Sequence, residues 1–320
     1  MRTEVTLPYS GELLVSHLAA YGLASVLYDA GIRVTVSHGD SLTFEPQVGF
    51  DLDAAGAAEV IRQSAVEAEA AVEADLVPGK SGNARRSLIW ARASRDDEEA
   101  ADVLRRRDDL LLNAEAESRR TVGRILAGIG ATAAWGGDQV KPQWGATALD
   151  GVLGNHTSDF VRGVLRPARR AAAEVDASTL ERLWAGETGD QHDKTGWAPP
   201  GTQVDLVHQW LAAIGLGLLP VAHRLWKRSS TPAVWPGGDG VTLPLLEPVT
   251  LPRVSALLKL ASLPAIREPE PTTATARARG ELRSLGINEV VLFRCRRTGS
   301  KSSVAFVFER GVRADLRERA

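Results

Sequence analysis

The residues best equipped for chemistry lie in RCRRTGSKSSVAF, where Arg294, Arg296, Arg297 and Lys301 fall between positions 294 and 301. Three guanidinium forks and an ammonium stand beside Thr298, Gly299, Ser300, Ser302 and Ser303, whose hydroxyl and backbone N–H groups donate hydrogen bonds. Phosphate oxygens accept from all of these donors. Each phosphate neutralised also releases counterions, so such a contact weakens with salt. A second candidate, VPGKSGNARRS, sets Lys80, Arg85 and Arg86 beside glycines that let backbone approach a strand closely. The competing reading of the terminal cluster is a solvated loop whose charge keeps a strand edge from pairing.

The charge distribution favours the first reading. The chain of 320 residues has a formal net charge of -2, yet residues 1–206 carry 21 Lys and Arg against 31 Asp and Glu, and residues 207–320 carry 17 against 9. A basic C-terminal part suits a polyanion, or else the two parts face each other. The runs Arg105–Arg107 and Arg119–Arg120 sit among Asp108, Asp109, Glu115 and Glu117, which reads as a salt-bridged helix surface. Eight tryptophans offer stacking surfaces, although most, Trp184 and Trp210 included, read as core.

Enzyme chemistry has less to build on. GIGATA at Gly128 matches a dinucleotide fingerprint only formally, because a helix-like segment precedes it where a strand is required. PGKSG and TGSKSS lack the full spacing of a phosphate-binding loop, and G-x-S-x-G, H-E-x-x-H and C-x-x-C are absent from the sequence. His192-Asp193, joined by His156 and Asp159, supplies the one alternative, a metal-dependent hydrolase or nuclease. The expectation is a protein with no catalytic residue, no metal and no cofactor. A third option is a protein-interaction scaffold whose acidic first part binds a basic partner. The single cysteine, Cys295, rules out an internal disulfide and fits a reducing cytoplasm. Its arginine neighbours favour the thiolate, but in a strand it reads as a small packed residue.

The elements that must position these residues follow from periodicity. YSGELLVSHLAAYGLASVLYDAG has apolar residues at helical spacing, with Ser10 as its N-cap and Gly31 as its stop. IRVTVSHGDSLTFEPQ then alternates, turns at His38-Gly39-Asp40 and returns through Leu42 and Phe44 as a hairpin. Helices are predicted over 51–75, from about Asp96 to Ile129, and in TSDFVRGVLRPARRAAAEV, DASTLERLWAGE with Asp176 or Ser178 as its cap, QVDLVHQWLAAIGLGLLPVAHRLW ended by Pro220, RVSALLKLASL and GELRSLG. The stretch REPEPTTATARAR reads as a linker, and INEVVLFRCRR with SSVAFVFERG as a second hairpin carrying the cations near its tip. The fold class is therefore α+β, a mainly helical core with small antiparallel β-hairpins near the N- and C-termini. Two domains are expected, an acidic one over 1–200 and a basic one over 201–320. The longest apolar run, Trp210 to Ala222, is shorter than the roughly 20 residues of a membrane span. No secretory leader is visible at the start, so the cytoplasm is the expected compartment.

Three of these segments resemble a family. HLAAYGLASVLYDAG (His17 to Gly31), LERLWAGE (Leu180 to Glu187) and LVHQWLAAIGLGLLPVA (Leu206 to Ala222) look like helices of CRISPR-associated proteins of the type I-G, formerly I-U, systems. The resemblance implies a non-enzymatic, large-subunit-like component of an RNA-guided surveillance complex. Such a subunit would contact guide RNA or target DNA, including the motif that flanks the target. It would dock on the other effector subunits and help recruit a separate helicase–nuclease. In such complexes base pairing reads sequence, while protein grips backbone and flanking motif. The resemblance transfers no catalytic residue.

Overall fold

The computed structural model describes residues 3–39, 43–73, 109, 112–114, 120–128, 161–220, 232–236, 239–300 and 303–317. Two buried helices form its centre. Helix α1 (Leu14–Asp29) is buried along almost its whole length, and α7 (Leu206–Gly215) crosses it. The crossing is made backbone to backbone. A methyl group on Gly22 would fall on the carbonyl oxygen of Leu211, and one on Gly215 would fall on that of Leu18. Glycine is what lets the two helices touch there.

The ends of α1 are closed differently from one another. Its C-terminus follows the sequence expectation: Gly31 takes φ +82, its N–H donates to Tyr28 O, and Ile32 N donates to Leu27 O, a Schellman closure. Its N-terminus does not. Ser10 lies in the preceding turn, where its Oγ accepts from Glu12 N, and the helix begins at Leu14 with Val15 N donating to Trp197 O. A carbonyl from a loop 182 residues away along the chain does the work expected of the serine.

Two antiparallel sheets flank the helices, in keeping with the α+β class. The first has the order β1-β3-β2-β5, from β1 (Thr3–Thr6), β2 (Val34–His38), β3 (Pro46–Phe50) and β5 (Val249–Thr250). The return strand of the predicted hairpin starts at Pro46, later than expected, and Phe44 instead sits in the connection with φ 35, its ring tucked into the core. The second sheet centres on β6 (Glu289–Ser300). One edge of β6 takes β4 (Gly240–Leu245); the other takes β7 (Ser303–Phe308) and β8 (Val312–Asp315). Pro244 is tolerated in β4 because that strand lies on the edge of the sheet.

Shorter helices pack round this frame. The predicted 51–75 helix is two, α2 (Ala54–Glu67) and α3 (Glu69–Glu73), and α4 (Arg120–Gly128) lies within the next. Helices α5 (Arg166–Glu174) and α6 (Ala177–Trp184) follow, the second capped by Asp176 through Thr179 N at 2.7 Å. Helix α8 spans Leu251–Leu258. The end of the segment read as a linker instead turns helical from Ala276 and joins the helix expected in GELRSLG as α9 (Ala276–Ser284), held by Arg279, whose guanidinium donates to the carbonyls of Asp315, Glu268 and Pro269. The buried apolar cluster is continuous from Val5 to Leu316 and crosses the 1–200/201–320 line without a break.

Candidate nucleic-acid interface

The pairing of β6 decides where the arginines stand. From Glu289 to Arg294 it pairs with β4, and from Glu289 to Leu292 also with β8; from Cys295 to Ser300 its strand partner among the described residues is β7, with Cys295 N still donating to Asp239 O at 2.8 Å. The second half of β6 and β7 therefore form a two-stranded ribbon that leaves the sheet. Its base is locked into the core on both faces, since Val290, Val291, Leu292 and Phe293 are all buried. Alternation with apolar residues on both faces predicts this anchoring, and the structure has it.

A bulge separates ribbon from base. Cys295 pairs with Phe308 and Leu292 with Val312, so Phe293 and Arg294 face three residues, Glu309, Arg310 and Gly311. Glu309 N still donates to Arg294 O at 2.9 Å, and Gly311 N turns away to Glu12 O at 2.7 Å. Gly311 fits only as glycine, because a Cβ there would lie 2.6 Å from Cε1 of Phe293. Bulges of this kind increase local twist and re-aim the side chains beside them.

Arg294 and Arg296 share one face of β6, two residues and hence about 7 Å apart. Both are exposed. Among the described residues Arg294 has no ion-pair partner, whereas Arg296 pairs with Glu309 across the ribbon. That pair is solvent-exposed and worth at most about 1 kcal/mol, so its arginine can be released to another anion. Arg297 occupies the next strand position, opposite Phe306. Its side chain lies outside the described residues, as do Lys301 and the second candidate group, Lys80, Arg85 and Arg86. Of the cations expected near the tip, Arg294 and Arg296 stand on the stem, six and four residues before the Ser300–Ser303 pair. The bulge adds Arg310, exposed and paired with Glu12, which sequence reasoning does not single out. Its signal is the spacing of Arg310, Arg313 and Arg317 after the last apolar run.

Behind the ribbon base lies a pair of histidines. The edge of the Phe293 ring meets His17 at a centroid distance of 5.4 Å. His17 Nε2 lies 2.7 Å from Gly11 O, its Nδ1 lies 3.2 Å from His38 Nε2, and His38 Nδ1 accepts from Leu246 N at 2.9 Å. Burial lowers His17 to about 4, and burial together with its neighbour lowers His38 well below the usual imidazole value. A similar contact fixes the start of α7, where Tyr9 Oη accepts from Asp205 N at 2.8 Å and lies 3.0 Å from His208 Nδ1. Both contacts join segments far apart along the chain.

The residues of the hydrolase alternative do other things or lie elsewhere. His156 and Asp159 are outside the described residues, and His192 is exposed. Both oxygens of Asp193 are filled by donors of its own loop: Oδ1 accepts from Thr195 N and Thr195 Oγ1, Oδ2 from Gly196 N and Ala198 N. This carboxylate organises the loop whose Trp197 carbonyl receives α1 and whose Gly196 carbonyl receives Phe308 N. Among the described residues no group of three His, Cys, Asp or Glu is placed to hold a metal. Cys295 is partly buried against the core, and burial pushes its thiol up to about 12, with Asp239 and Glu309 adding to the effect. Desolvation outweighs its arginine neighbours, and the thiol is a packed residue.

Compared with known proteins, the chain matches no family model, no curated sequence and no solved structure. Among the described residues no helix is long and apolar enough to cross a membrane.

Proposed function

We propose that this protein is a non-enzymatic, nucleic-acid-binding subunit of a type I RNA-guided surveillance complex, working in the cytoplasm. The observation that carries the reading is the β6–β7 ribbon, which leaves the sheet with Arg294 and Arg296 side by side on an exposed face. Their separation of about 7 Å along the strand suits neighbouring phosphates of an extended nucleic-acid strand. Arg310 adds an exposed cation at the bulge. The ribbon is rigid at its base, so gripping a phosphate costs little ordering entropy. The partner class comes from the resemblance of the three helices to type I-G proteins: guide RNA or target DNA, the other effector subunits, and a helicase–nuclease recruited to them.

The test is a salt titration of binding to labelled duplex DNA and to single-stranded RNA, with wild type beside a variant in which Arg294, Arg296, Arg297 and Lys301 are all alanine. Wild-type affinity should fall steeply with salt. The variant's logarithmic slope should be shallower by about 0.7 to 0.9 for each phosphate that it no longer neutralises. Equal slopes in the two proteins would overturn the assignment of the polyanion to this ribbon.

A further inference from the structure

Beyond Cys295 the ribbon has an open backbone edge. Two hydrogen bonds fix which way its groups point: Arg294 O accepts from Glu309 N on the β7 side, and Cys295 N donates to Asp239 O on the opposite side, where β4 lies. Alternate residues of a strand direct their N–H and C=O groups to opposite sides. Arg296, Thr298 and Ser300 therefore bond to Val307, Ala305 and Ser303, while the backbone groups of Arg297 and Gly299 point away from β7. Strand β4 starts at Gly240, opposite Arg294, and the chain before it folds back, with Trp235 N donating to Gly240 O. Among the described residues nothing pairs with Arg297 and Gly299 on that side. Two N–H donors and two C=O acceptors thus stand in line with β4 at strand spacing.

The pattern selects the ligand. Phosphate oxygens only accept, so a nucleic-acid backbone leaves both carbonyls unused, whereas an extended peptide supplies donors and acceptors in the same alternation. We infer that this edge of β6 docks an extended segment of a partner protein that carries a carboxylate. An incoming antiparallel strand paired with Arg297 sets its two neighbouring side chains opposite Arg296 and Thr298, on the face that Arg294 and Arg296 share. Directly opposed residues have Cβ atoms about 5 Å apart, so a carboxylate facing Arg296 meets its guanidinium and lies diagonal to Arg294. The molecule already contains such a pairing, since Glu309 holds Arg296 from the other side of β6. Charge also decides against a second copy of this chain. Edge-to-edge pairing of two ribbons gathers the exposed Arg294 and Arg296 of both copies, and like charges across a strand pair are destabilising. The arginines deter self-pairing and admit an acidic strand. The inference stands apart from the proposed polyanion binding, which uses the arginine side chains and not the backbone edge.

The probe is an eight-residue peptide alternating valine and threonine, with one glutamate at a central threonine position, added to the full chain. It should bind with a dissociation constant on the order of 0.1 mM. Hydrogen exchange at the Arg297 and Gly299 amides should slow on binding, while Arg296 and Thr298, already bonded to β7, change little. The same peptide N-methylated at its valines loses the donors that face β6 and should bind at least about tenfold more weakly. Glutamine in place of glutamate should weaken binding about threefold, and a protein carrying both Arg294→Ala and Arg296→Ala should not distinguish the two peptides. Gly299→Pro removes an N–H from the open edge and none from the β7 ladder, so it should lose the peptide and keep salt-sensitive polyanion binding. Equal affinity of the methylated and parent peptides, or unchanged exchange at Arg297 and Gly299, would overturn the inference. A homodimer broken by Gly299→Pro would do the same, by giving the edge to a second copy. Peptide docking in a protein that binds no polyanion would support this edge and remove the proposed nucleic-acid function.

Discussion

His17 and His38 fix each other's tautomer through a single contact, Nδ1 to Nε2 at 3.2 Å. His38 Nδ1 accepts from Leu246 N–H, so the proton of that ring is on Nε2 and points at His17. His17 Nδ1 must then accept, which puts its own proton on Nε2, facing Gly11 O at 2.7 Å. Every site in the chain is satisfied with both rings neutral, and a further proton breaks at least one of these bonds. Four pieces of backbone meet here: the loop before α1, α1 itself, the end of β2 and the turn after β4.

Acid should therefore loosen the fold before the carboxylates titrate. His17 is neutral and lowered to about 4 in the native state but has its ordinary value near 6.5 when unfolded, so the unfolded chain binds more protons as the pH falls below 6.5. Between pH 7.5 and pH 5.5 this one group removes on the order of 1 kcal/mol, and His38 and His208 act in the same sense. Asp193 and Asp205, raised by burial, work in the opposite direction once the carboxylate range is reached. Urea unfolding at pH 7.5 and 5.5 measures the difference; equal stabilities would show that the pair is not held neutral.

The glycines of the central crossing should be irreplaceable. Gly22→Ala and Gly215→Ala each drive a methyl group into a carbonyl of the facing helix, and each should cost more than about 3 kcal/mol or prevent folding. Gly280 in α9 has open space around its missing Cβ, so Gly280→Ala should stabilise the protein by up to about 1 kcal/mol. Thermal denaturation of the three variants compares them directly, and a tolerated Gly22→Ala would refute the close crossing.

Two hydroxyls inside α1 should be dispensable. Tyr21 Oη and Ser25 Oγ are buried with no hydrogen-bond partner among the described residues. Removing a desolvated, unpaired group relieves a penalty of about 1 kcal/mol, so Tyr21→Phe and Ser25→Ala should be neutral or stabilising in chemical denaturation. A loss of more than about 1 kcal/mol in either would mean that the hydroxyl has a partner.

Cys295 should resist thiol reagents in the native protein. Its thiol is pushed up to about 12, so almost none of it is thiolate at pH 7.5. Disulfide-exchange labelling should proceed far more slowly in buffer than in denaturant. Comparable rates would mean that the strand opens or that the arginines control the thiol.

What is legible in the sequence is local. The helical spacing of α1 with its glycine stop, the cap expected at Asp176 or Ser178 and made by Asp176, and the two-sided apolar pattern of Val290 to Phe293 all depend on neighbours within a few residues, and all appear in the structure. Strands β1, β5 and β8 escape such reasoning because they span four, two and four residues and acquire their meaning from distant partners; Val5, for instance, pairs with Val48. The start of α1 is misplaced for the same reason, since its cap comes from Trp197. In the candidate site the identity of the arginines is legible, but their place on the stem is not. That place depends on the residue that β7 and β8 hold in excess over β6, and no local pattern announces a bulge.

The ribbon has one more consequence, for how this protein can vary over evolutionary time. Beyond the Cys295–Phe308 pair, β6 and β7 have only each other as strand partners among the described residues, whereas Val290 to Phe293 before that pair are pinned by the core. Lengthening both strands by two residues would keep each side chain on its face and extend the arm by about 7 Å without disturbing Phe293 or the bulge. Adding one residue to each would turn every newly placed arginine to the opposite side. Reach is thus adjustable in even steps, independently of stability.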